Sequence, residues 1–412
     1  MGDFHQTGVI STLPRFPAAS LERLETDLER FSESKPITLI LPSLISELDR
    51  PALGRIVTEL KEVKYLHQII VSLDKADGDG FRRAKDFFGA LPQDVKIIWN
   101  KGDRIRRLYD LLNQRGLKIG TGGKGRGVWV SLAYALAEGQ SHMAALHDCD
   151  IINYERGLLA RLCYPIANPS LNYEFCKGYY PRVNDHMFGR VTRLFVMPLI
   201  RAMQEVFGYT PLLVYLDSFR YPLAGEFAMT VDLARVNKLP GDWGLDFGLL
   251  AEVFRNSSTQ RICQVDLIDT YEHKHQPISE TDPEKGLFKM SIDIARAFCR
   301  TMVSEGEVFS DDAIETLRVA YVSAARDMIR KYHDTAMINN IPFDRDGEDL
   351  AVKTFTEGLR MGAGSFRDAP LESSEMPNWN QVTSVLPRFP AMLKEAVESD
   401  NKRGRVHEYR AA

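Results

Sequence analysis

The 412-residue sequence lacks several features that would narrow its class at once. Cysteine is scarce, and neither an even number nor a C-x-x-C spacing supports a disulfide framework or a cysteine zinc site. The five cysteines are Cys149, Cys163, Cys176, Cys263 and Cys299. No apolar run reaches the roughly 18 residues of a membrane-spanning helix. The N-terminus has no basic start followed by an apolar run, so we expect no signal peptide.

An excess of charge of one sign is also missing. Lys and Arg number 52 and Asp and Glu number 56, which gives a net charge of -4. So small a net charge creates no global field that would recruit nucleic acid or an anionic membrane. Unpaired thiols favour a reducing compartment, so we predict a cytoplasmic protein. The 44% of hydrophobic residues is ordinary for a globular chain, and the length suggests two or three domains.

Strand-like and helix-like segments alternate through the first part of the chain. The apolar runs ITLIL, IIVSL, VKIIW and MAALH predict strands over 37–41, 69–73, 95–99 and 143–147. Such alternation predicts an α/β fold with a parallel, doubly wound sheet, in which ligands bind beyond the carboxyl ends of the strands.

In the last third of the sequence, apolar residues recur at helical spacing, which predicts helices whose apolar faces form core or dimer contacts. We predict an N-terminal helical lead-in over 1–35, an α/β domain over 36–280 and a mostly helical C-terminal region over 281–412.

The fourth predicted strand leads directly into an acidic pair. Asp148 and Asp150 flank Cys149, and residues two apart on an extended segment point the same way. Two carboxylates on one side supply the hard oxygen ligands that Mg²⁺ or Mn²⁺ prefers. Such an ion would bridge the phosphates of a nucleotide sugar and stabilise the departing diphosphate. A turn or capping pair is the alternative interpretation.

A glycine-rich stretch, GTGGKG over 120–125, has two functional interpretations. Gly120, Gly122 and Gly125 match G-x-G-x-x-G, which would indicate a nicotinamide-dependent oxidoreductase. That fingerprint requires a strand directly before it, whereas the preceding RLYDLLNQRGLK is charged and helix-like. A loop whose Lys124 reaches a phosphate fits the sequence better. A surface loop without a ligand is the remaining alternative.

Three further segments carry side chains suited to a ligand site. The stretch YEHKH contains His273 and His275, and one of them completing the acidic metal site is favoured over a zinc pair. Glu226 follows a glycine turn, where it would hold sugar hydroxyls or act as a base. In GRVT, the Arg190 guanidinium and the Thr192 hydroxyl suit a phosphate or a carboxylate. Taken singly, each segment also fits a surface or turn role.

Seven short motifs stand in a fixed order along residues 36–280. They are Leu41-Pro42-Ser43-Leu44; Gly123-Lys124-Gly125; Asp148-Cys149-Asp150; Gly189-Arg190-Val191-Thr192 with Pro198-Leu199-Ile200; Pro222-Leu223-Ala224-Gly225-Glu226; Gly244-Leu245-Asp246-Phe247-Gly248-Leu249-Leu250; and His273. Together they resemble the glucosyl-3-phosphoglycerate synthase family of retaining glycosyltransferases. Each motif is short, but seven in order are far more specific than any one.

The resemblance implies a GT-A fold and transfer of glucose from a nucleoside diphosphate glucose, UDP-glucose first, to 3-phospho-D-glycerate. The product would be a precursor of the compatible solute glucosylglycerate. Asp150 and Glu226 would be the catalytic residues, and Mg²⁺ or Mn²⁺ would lie on Asp150, His273 and Asp148. Donor contacts would come from Pro42, Ser43, Leu44, Glu47, Asp74, Lys124 and Asp148. Acceptor contacts would come from Gly189, Arg190, Thr192 and His275.

Two positions depart from the family pattern. Where the family has Asn-Glu-Glu after its first motif, this chain has Ile45-Ser46-Glu47, so the nucleoside-binding acid is missing or shifted to Glu47. Where the family has Arg-Asn after the late histidine, this chain has Lys274-His275. A mannosyl-3-phosphoglycerate synthase, a glucosylglycerate synthase and a non-catalytic nucleotide-sugar sensor therefore remain alternatives. The partners predicted are a nucleotide sugar, phosphoglycerate and a second copy in a homodimer, without nucleic acid or membrane.

Overall fold

A computed structural model describes residues 6, 8–16, 19–120, 122–273, 279 and 282–402 of the chain. Ten strands are numbered here in chain order. They are β1 (Ser11–Leu13), β2 (Ile37–Leu44), β3 (Leu66–Asp74), β4 (Asp94–Trp99), β5 (Met143–Leu146), β6 (Phe175–Tyr179), β7 (Phe227–Thr230), β8 (Leu239–Pro240), β9 (Ile262–Asp266) and β10 (Glu375–Met376). The four predicted strands correspond to β2, β3, β4 and β5.

Eight of the strands form one sheet in the order β1-β9-β6-β7-β5-β2-β3-β4. The four predicted strands pair in parallel, as do β6 with β9 and β1 with β9. The α/β prediction is confirmed, but the sheet is mixed rather than parallel throughout, because β7 runs antiparallel to both β5 and β6. An apolar run indicates a buried strand but carries no information about the direction in which it enters the sheet.

The described residues also form fifteen α-helices. They are α1 (Leu21–Ser32), α2 (Pro51–Leu60), α3 (Gly78–Phe88), α4 (Asp103–Gln114), α5 (Lys124–Glu138), α6 (Arg156–Ala167), α7 (Met197–Phe207), α8 (Pro211–Asp217), α9 (Val231–Val236), α10 (Leu245–Asn256), α11 (Gly286–Ser304), α12 (Asp311–Ile338), α13 (Arg345–Asp368), α14 (Trp379–Val385) and α15 (Phe389–Asn401). Among the helices of the described residues, none combines the length and apolar character that a membrane span requires.

Both faces of the central sheet are buried against helices. Leu39 and Leu41 of β2 belong to one hydrophobic cluster, whereas Ile40 between them belongs to the other. Successive side chains of a strand point to opposite faces, so an uninterrupted apolar strand supplies both clusters. This explains why the sheet strands near the centre appear in the sequence as continuous apolar runs.

The C-terminal region returns to the first half of the chain. The rings of Trp129 on α5 and Trp379 on α14 lie 4.0 Å apart, and the Trp129 indole donates to the carbonyl oxygen of Pro377. At the end of α15, the side-chain amide of Asn401 accepts a hydrogen bond from the backbone N–H of Ile97 on β4 and donates one to the carbonyl oxygen of the same residue. This side chain covers backbone groups on an edge strand that would otherwise be open to pairing. The boundaries near residues 35 and 280 stay predictions.

Candidate functional site

The acidic pair lies beyond the carboxyl end of β5, and a third side chain joins it from a distant segment. Asp148, Asp150 and His273 each offer one ligand atom, and these atoms lie within 4.8 Å of one another. An antiparallel bridge between Ile151 and His273 brings the imidazole there. The N–H of Ile152 reinforces it by donating to the carbonyl oxygen of Glu272, at 2.8 Å. Pairing of two loops therefore assembles the cluster.

These three residues fit a hard divalent cation. Asp150 Oδ1 is buried and accepts no hydrogen bond within the described residues, and it lies 3.8 Å from His273 Nδ1. A buried carboxylate oxygen without a donor is costly unless a cation or water satisfies it. Two carboxylates with one imidazole suit Mg²⁺ or Mn²⁺, which fill their remaining positions with water or phosphate oxygens.

A lysine lies directly beside the acidic pair, where α5 begins. Lys124 Nζ is 2.5 Å from Asp148 Oδ1. Burial acts to lower the pKa of Lys124, but the carboxylates of Asp148 and Asp246 outweigh it and raise the pKa. Burial acts to raise the pKa of Asp148, and the Lys124 ammonium overcomes it and lowers the pKa. Both groups are therefore charged, and the first N–H groups of α5 add to an anion site.

The lysine reaches this position because its neighbours carry no side chains. Gly123 precedes α5 with φ 104°, in a region that favours glycine. A Cβ at Gly125 would clash with the carbonyl oxygen of Pro240. The coil before these glycines follows α4 rather than a strand, which the dinucleotide fingerprint would require. The structure therefore contradicts the nicotinamide interpretation of the glycine stretch.

The antiparallel strand β7 brings a buried acid beneath the site. Leu146 pairs with Phe227, so Glu226 lies next to the residues that follow β5. Glu226 is fully buried, and its two carboxylate oxygens accept hydrogen bonds from Tyr180 at 2.6 Å and Tyr271 at 2.5 Å. Burial and the nearby Asp148 charge raise the pKa of Glu226 despite these two donors. The two tyrosine rings stack at 3.7 Å.

A second buried charge pair supports the floor of the site. Lys177 on β6 is fully buried, and its ammonium lies 3.4 Å from Asp246 Oδ1 on α10. Burial lowers the pKa of Lys177, and the Asp246 carboxylate opposes that shift. Breaking such a pair would leave an uncompensated charge in a dry environment, at a cost of about 3–5 kcal/mol.

The cluster formed by Asp148, Asp150 and His273 opens into a cavity of about 1140 Å³. Nearly all the predicted site residues line it, namely Pro42, Ser43, Leu44, Glu47, Asp74, Lys124, Asp148, Asp150, Gly189, Arg190, Thr192 and His273. Glu226 is not among the cavity-lining residues of the described chain, because its carboxylate lies beneath the floor. The predicted acceptor residue His275 lies outside the described residues.

The predicted acceptor residues occupy the start of one irregular helix. Gly189 has φ 75°, and Arg190 leads into a π-helical turn over Val191–Val196, which α7 continues. Such wide turns occur often at functional sites. The turn leaves Arg190 partly exposed at the cavity and buries Thr192.

Several lining or supporting residues were missed at the sequence level. Arg182 follows β6, lines the cavity and donates to the Tyr221 hydroxyl at 3.1 Å. The sequence pattern also did not predict a role for Tyr180, Lys177 or Glu348. A YYPR stretch after a strand is a weak sequence signal for Tyr180 and Arg182, whereas nothing near Glu348 in the sequence points to the site.

The mixed sheet, the strand-tip carboxylates with their histidine and the adjoining lysine define a class. They are the parts of a GT-A glycosyltransferase, an enzyme that binds a nucleotide sugar beside a divalent cation.

Comparison with known proteins identifies the family. The chain is 45% identical over 401 residues to the glucosyl-3-phosphoglycerate synthase of Persephonella marina, covering 97% of this chain and 99% of the relative. It is 37% identical to the synthase of Methanococcoides burtonii, covering 97% and 98% of the two chains. The chain belongs to the glucosyl-3-phosphoglycerate synthase family. No family model matches it.

Solved structures confirm the fold. The glucosyl-3-phosphoglycerate synthase of Mycobacterium tuberculosis, in complex with Mn²⁺, UDP and glucosyl-3-phosphoglycerate, superposes with a TM-score of 0.53 at 21% identity. The match covers 71% of this chain and 87% of that one. The same enzyme with Mn²⁺, UDP-glucose and phosphoglyceric acid gives a TM-score of 0.51. The GT-A prediction and the family prediction are thus confirmed.

Proposed function

We propose that this enzyme transfers glucose from UDP-glucose to 3-phospho-D-glycerate, with Mg²⁺ or Mn²⁺ bound at Asp148, Asp150 and His273. One observation carries the proposal. The metal cluster and Lys124 line a cavity that extends to Arg190, in a chain 45% identical along its length to a glucosyl-3-phosphoglycerate synthase. The Mycobacterium tuberculosis complexes with Mn²⁺, UDP-glucose and phosphoglyceric acid agree with this choice of ligands.

The side chains divide the work by their chemistry. When bound, the cation neutralises charge on the departing diphosphate. Lys124 adds a second positive charge to the same phosphates, and Asp148 fixes its ammonium group. Arg190 and Thr192 bind the anionic end of the acceptor. Glu226 acts indirectly, because its carboxylate accepts hydrogen bonds from Tyr180 and Tyr271 and does not line the cavity.

Retention of the anomeric configuration follows from front-face attack. In this route a donor phosphate oxygen accepts the proton of the acceptor hydroxyl, so no enzyme nucleophile is needed. Asp246, an acid of the cavity wall, is paired with buried Lys177, which makes it a poor nucleophile and a better partner for sugar hydroxyls.

A donor and acceptor panel tests the assignment. Purified protein is incubated with Mg²⁺, 3-phosphoglycerate and UDP-glucose, GDP-glucose or GDP-mannose, and released nucleoside diphosphate is measured. We expect the fastest release with UDP-glucose. Preference for GDP-mannose would replace the glucosyl assignment with the mannosyl one, and equal rates with unphosphorylated glycerate would replace the acceptor. Donor binding without any turnover would indicate a sensor.

Three wider assignments belong to the same proposal. The product serves as precursor of the compatible solute glucosylglycerate. The enzyme works in the cytoplasm, in line with five free and buried thiols. It forms a homodimer, which light scattering at micromolar concentration would test; a mass near 46.7 kDa would contradict it.

A further inference from the structure

The first turn of α13 lies against the arginine proposed to bind the acceptor. Glu348, only 3% exposed, accepts a hydrogen bond from Arg190 Nε at 2.8 Å through Oε1. Its Oε2 accepts from Arg193 Nη1 at 2.7 Å, and Oε1 also accepts from Arg193 Nη2 at 3.2 Å. One buried carboxylate therefore bridges the guanidinium of Arg190, in the GRVT segment, and that of Arg193, directly after it.

Glu348 is fixed by what surrounds its second partner. Arg193 Nε donates to the carbonyl oxygen of Phe188 at 2.8 Å, and its Nη2 donates to that of Met187 at 3.2 Å. The same guanidinium lies over the ring of Tyr332 on α12, 4.8 Å from the centroid. Since Arg193 and Glu348 are both buried and mutually bidentate, neither moves without breaking a charge-assisted pair.

Arg190 is therefore held along one edge. Its Nε is taken by Glu348, whereas Nη1 makes no hydrogen bond within the part of the chain that is described. The exposed carboxylate of Asp344 lies 3.4 Å from Nη2 and also caps α13 by accepting from Gly347 N–H. A Cβ at Gly347 would clash with that carboxylate, so glycine permits the approach.

These contacts belong to the cavity already described. Phe343, Asp344 and Glu348 line it together with Arg190, so α13 and the loop before it form part of its wall. At this end of the cavity, two arginines face two carboxylates. When an acceptor phosphate or carboxylate approaches the Arg190 guanidinium, Glu348 keeps that guanidinium in place. The exposed Asp344 carboxylate competes with the acceptor for the same guanidinium and can be displaced.

We propose that Glu348 is a positioning residue that holds the Arg190 guanidinium in place for the acceptor anion, and that this is one role of the helical C-terminal region. The inference rests on the proposed function, since it takes Arg190 as the acceptor contact. Asp344 then tunes acceptor affinity by competing for Nη2. Both effects act on acceptor binding and leave the donor site alone.

The test uses Glu348→Gln in the full chain, with KM for UDP-glucose and 3-phosphoglycerate measured separately. We expect the acceptor KM to rise about tenfold or more, from the loss of a charge-assisted hydrogen bond, with the donor KM within about twofold. Asp349→Asn, a change at a half-buried residue of the same helix that does not line the cavity, is the control and should alter neither. An unchanged acceptor KM, or equal rises in both KM values, would overturn the proposal.

A second variant covers the case in which Glu348→Gln does not fold. Asp344→Asn keeps the helix cap, because Asn is also a good N-cap, but removes the competing charge. We expect the acceptor KM to fall by about twofold to fivefold, the range of an exposed ion pair. An unchanged or higher acceptor KM would count against the proposal. Absence of transfer in the unmodified enzyme would instead refute the function on which it rests.

Discussion

Substituting alanine for Gly225 should disable the site while leaving the fold in place. Gly225 lies just before β7, and a Cβ there would be 2.6 Å from Asp148 Oδ2 and 3.1 Å from Lys124 Nζ. Ordinary contact begins near 3.4 Å, so the carboxylate must retreat by the difference, about 0.8 Å. Its φ is not in the left-handed region, so the backbone tolerates alanine.

A shift of this size falls on Asp148, a proposed metal ligand, and on its partner Lys124 together. Misplacement of reacting groups by roughly 1 Å costs about a hundredfold in rate, so we expect kcat/KM for UDP-glucose to fall by about that factor. Metal affinity, measured by calorimetry with Mn²⁺, should fall as well. The melting temperature should change little, because the methyl group meets a flexible charged side chain at the cavity.

A matched control exists on α2. A Cβ added at Gly54 would meet no atom within 4 Å beyond its own helix backbone, so Gly54→Ala tests a glycine substitution that enters open space. It should keep full activity and gain stability of about 0.5–1 kcal/mol from helix propensity. If Gly225→Ala keeps its rate and metal affinity within about threefold of the unmodified enzyme, the inferred contact between the start of β7 and the metal aspartate is wrong.

Three further changes test separate parts of the site. Asp150→Ala should abolish transfer and remove the thermal stabilisation that Mn²⁺ gives the unmodified enzyme; a retained Mn²⁺ shift would exclude Asp150 as a ligand. Arg190→Ala should raise KM for 3-phosphoglycerate far more than KM for UDP-glucose, and equal rises would contradict an acceptor role. Burial lowers the pKa of His147 to about 4, so unfolding free energy should fall as pH drops from 6.5 towards 4, by about 3 kcal/mol. In the unmodified protein only the unfolded imidazole takes up the proton, so the unfolding free energy of His147→Gln, measured with urea, should lack this decline. An equal decline in the variant would refute the assignment to His147.

The proposed donor half of the site is largely predictable from the sequence because it depends on local order. Parallel strands place their carboxyl ends on one edge, so residues at or just beyond the ends of β2, β3 and β5 meet regardless of the rest of the fold. Ser43, Asp74 and Asp148 line one cavity for this reason. The helix after the glycines, with Lys124 at its start, follows equally from local pattern.

The proposed acceptor half depends on long-range contacts that no local pattern encodes. Glu348 meets Arg190 across 158 positions, and it occurs in the sequence as one more acid at a helix start. Lys177 is a charged residue in a strand of only five residues, so the pattern gave no reason to expect it buried. The importance of such charged groups can be recognised only in the folded structure, where packing removes water from them. A buried charge needs a partner, and the partner indicates the role of the group.

The antiparallel direction of β7 explains how Gly225 and Glu226 come to lie beside Asp148, which the parallel strands alone do not explain. A parallel strand beside β5 would place its own carboxyl end next to Asp148, whereas the antiparallel β7 places its beginning there. Gly225 can then approach Asp148, and Glu226 can hold the tyrosines that follow β6 and β9. Because Tyr271 is two residues from His273, the Glu226 carboxylate also fixes the segment that carries this histidine. The strand β7, which the apolar pattern did not predict, therefore links the segment of Asp148 and Asp150 to the distant segment of His273.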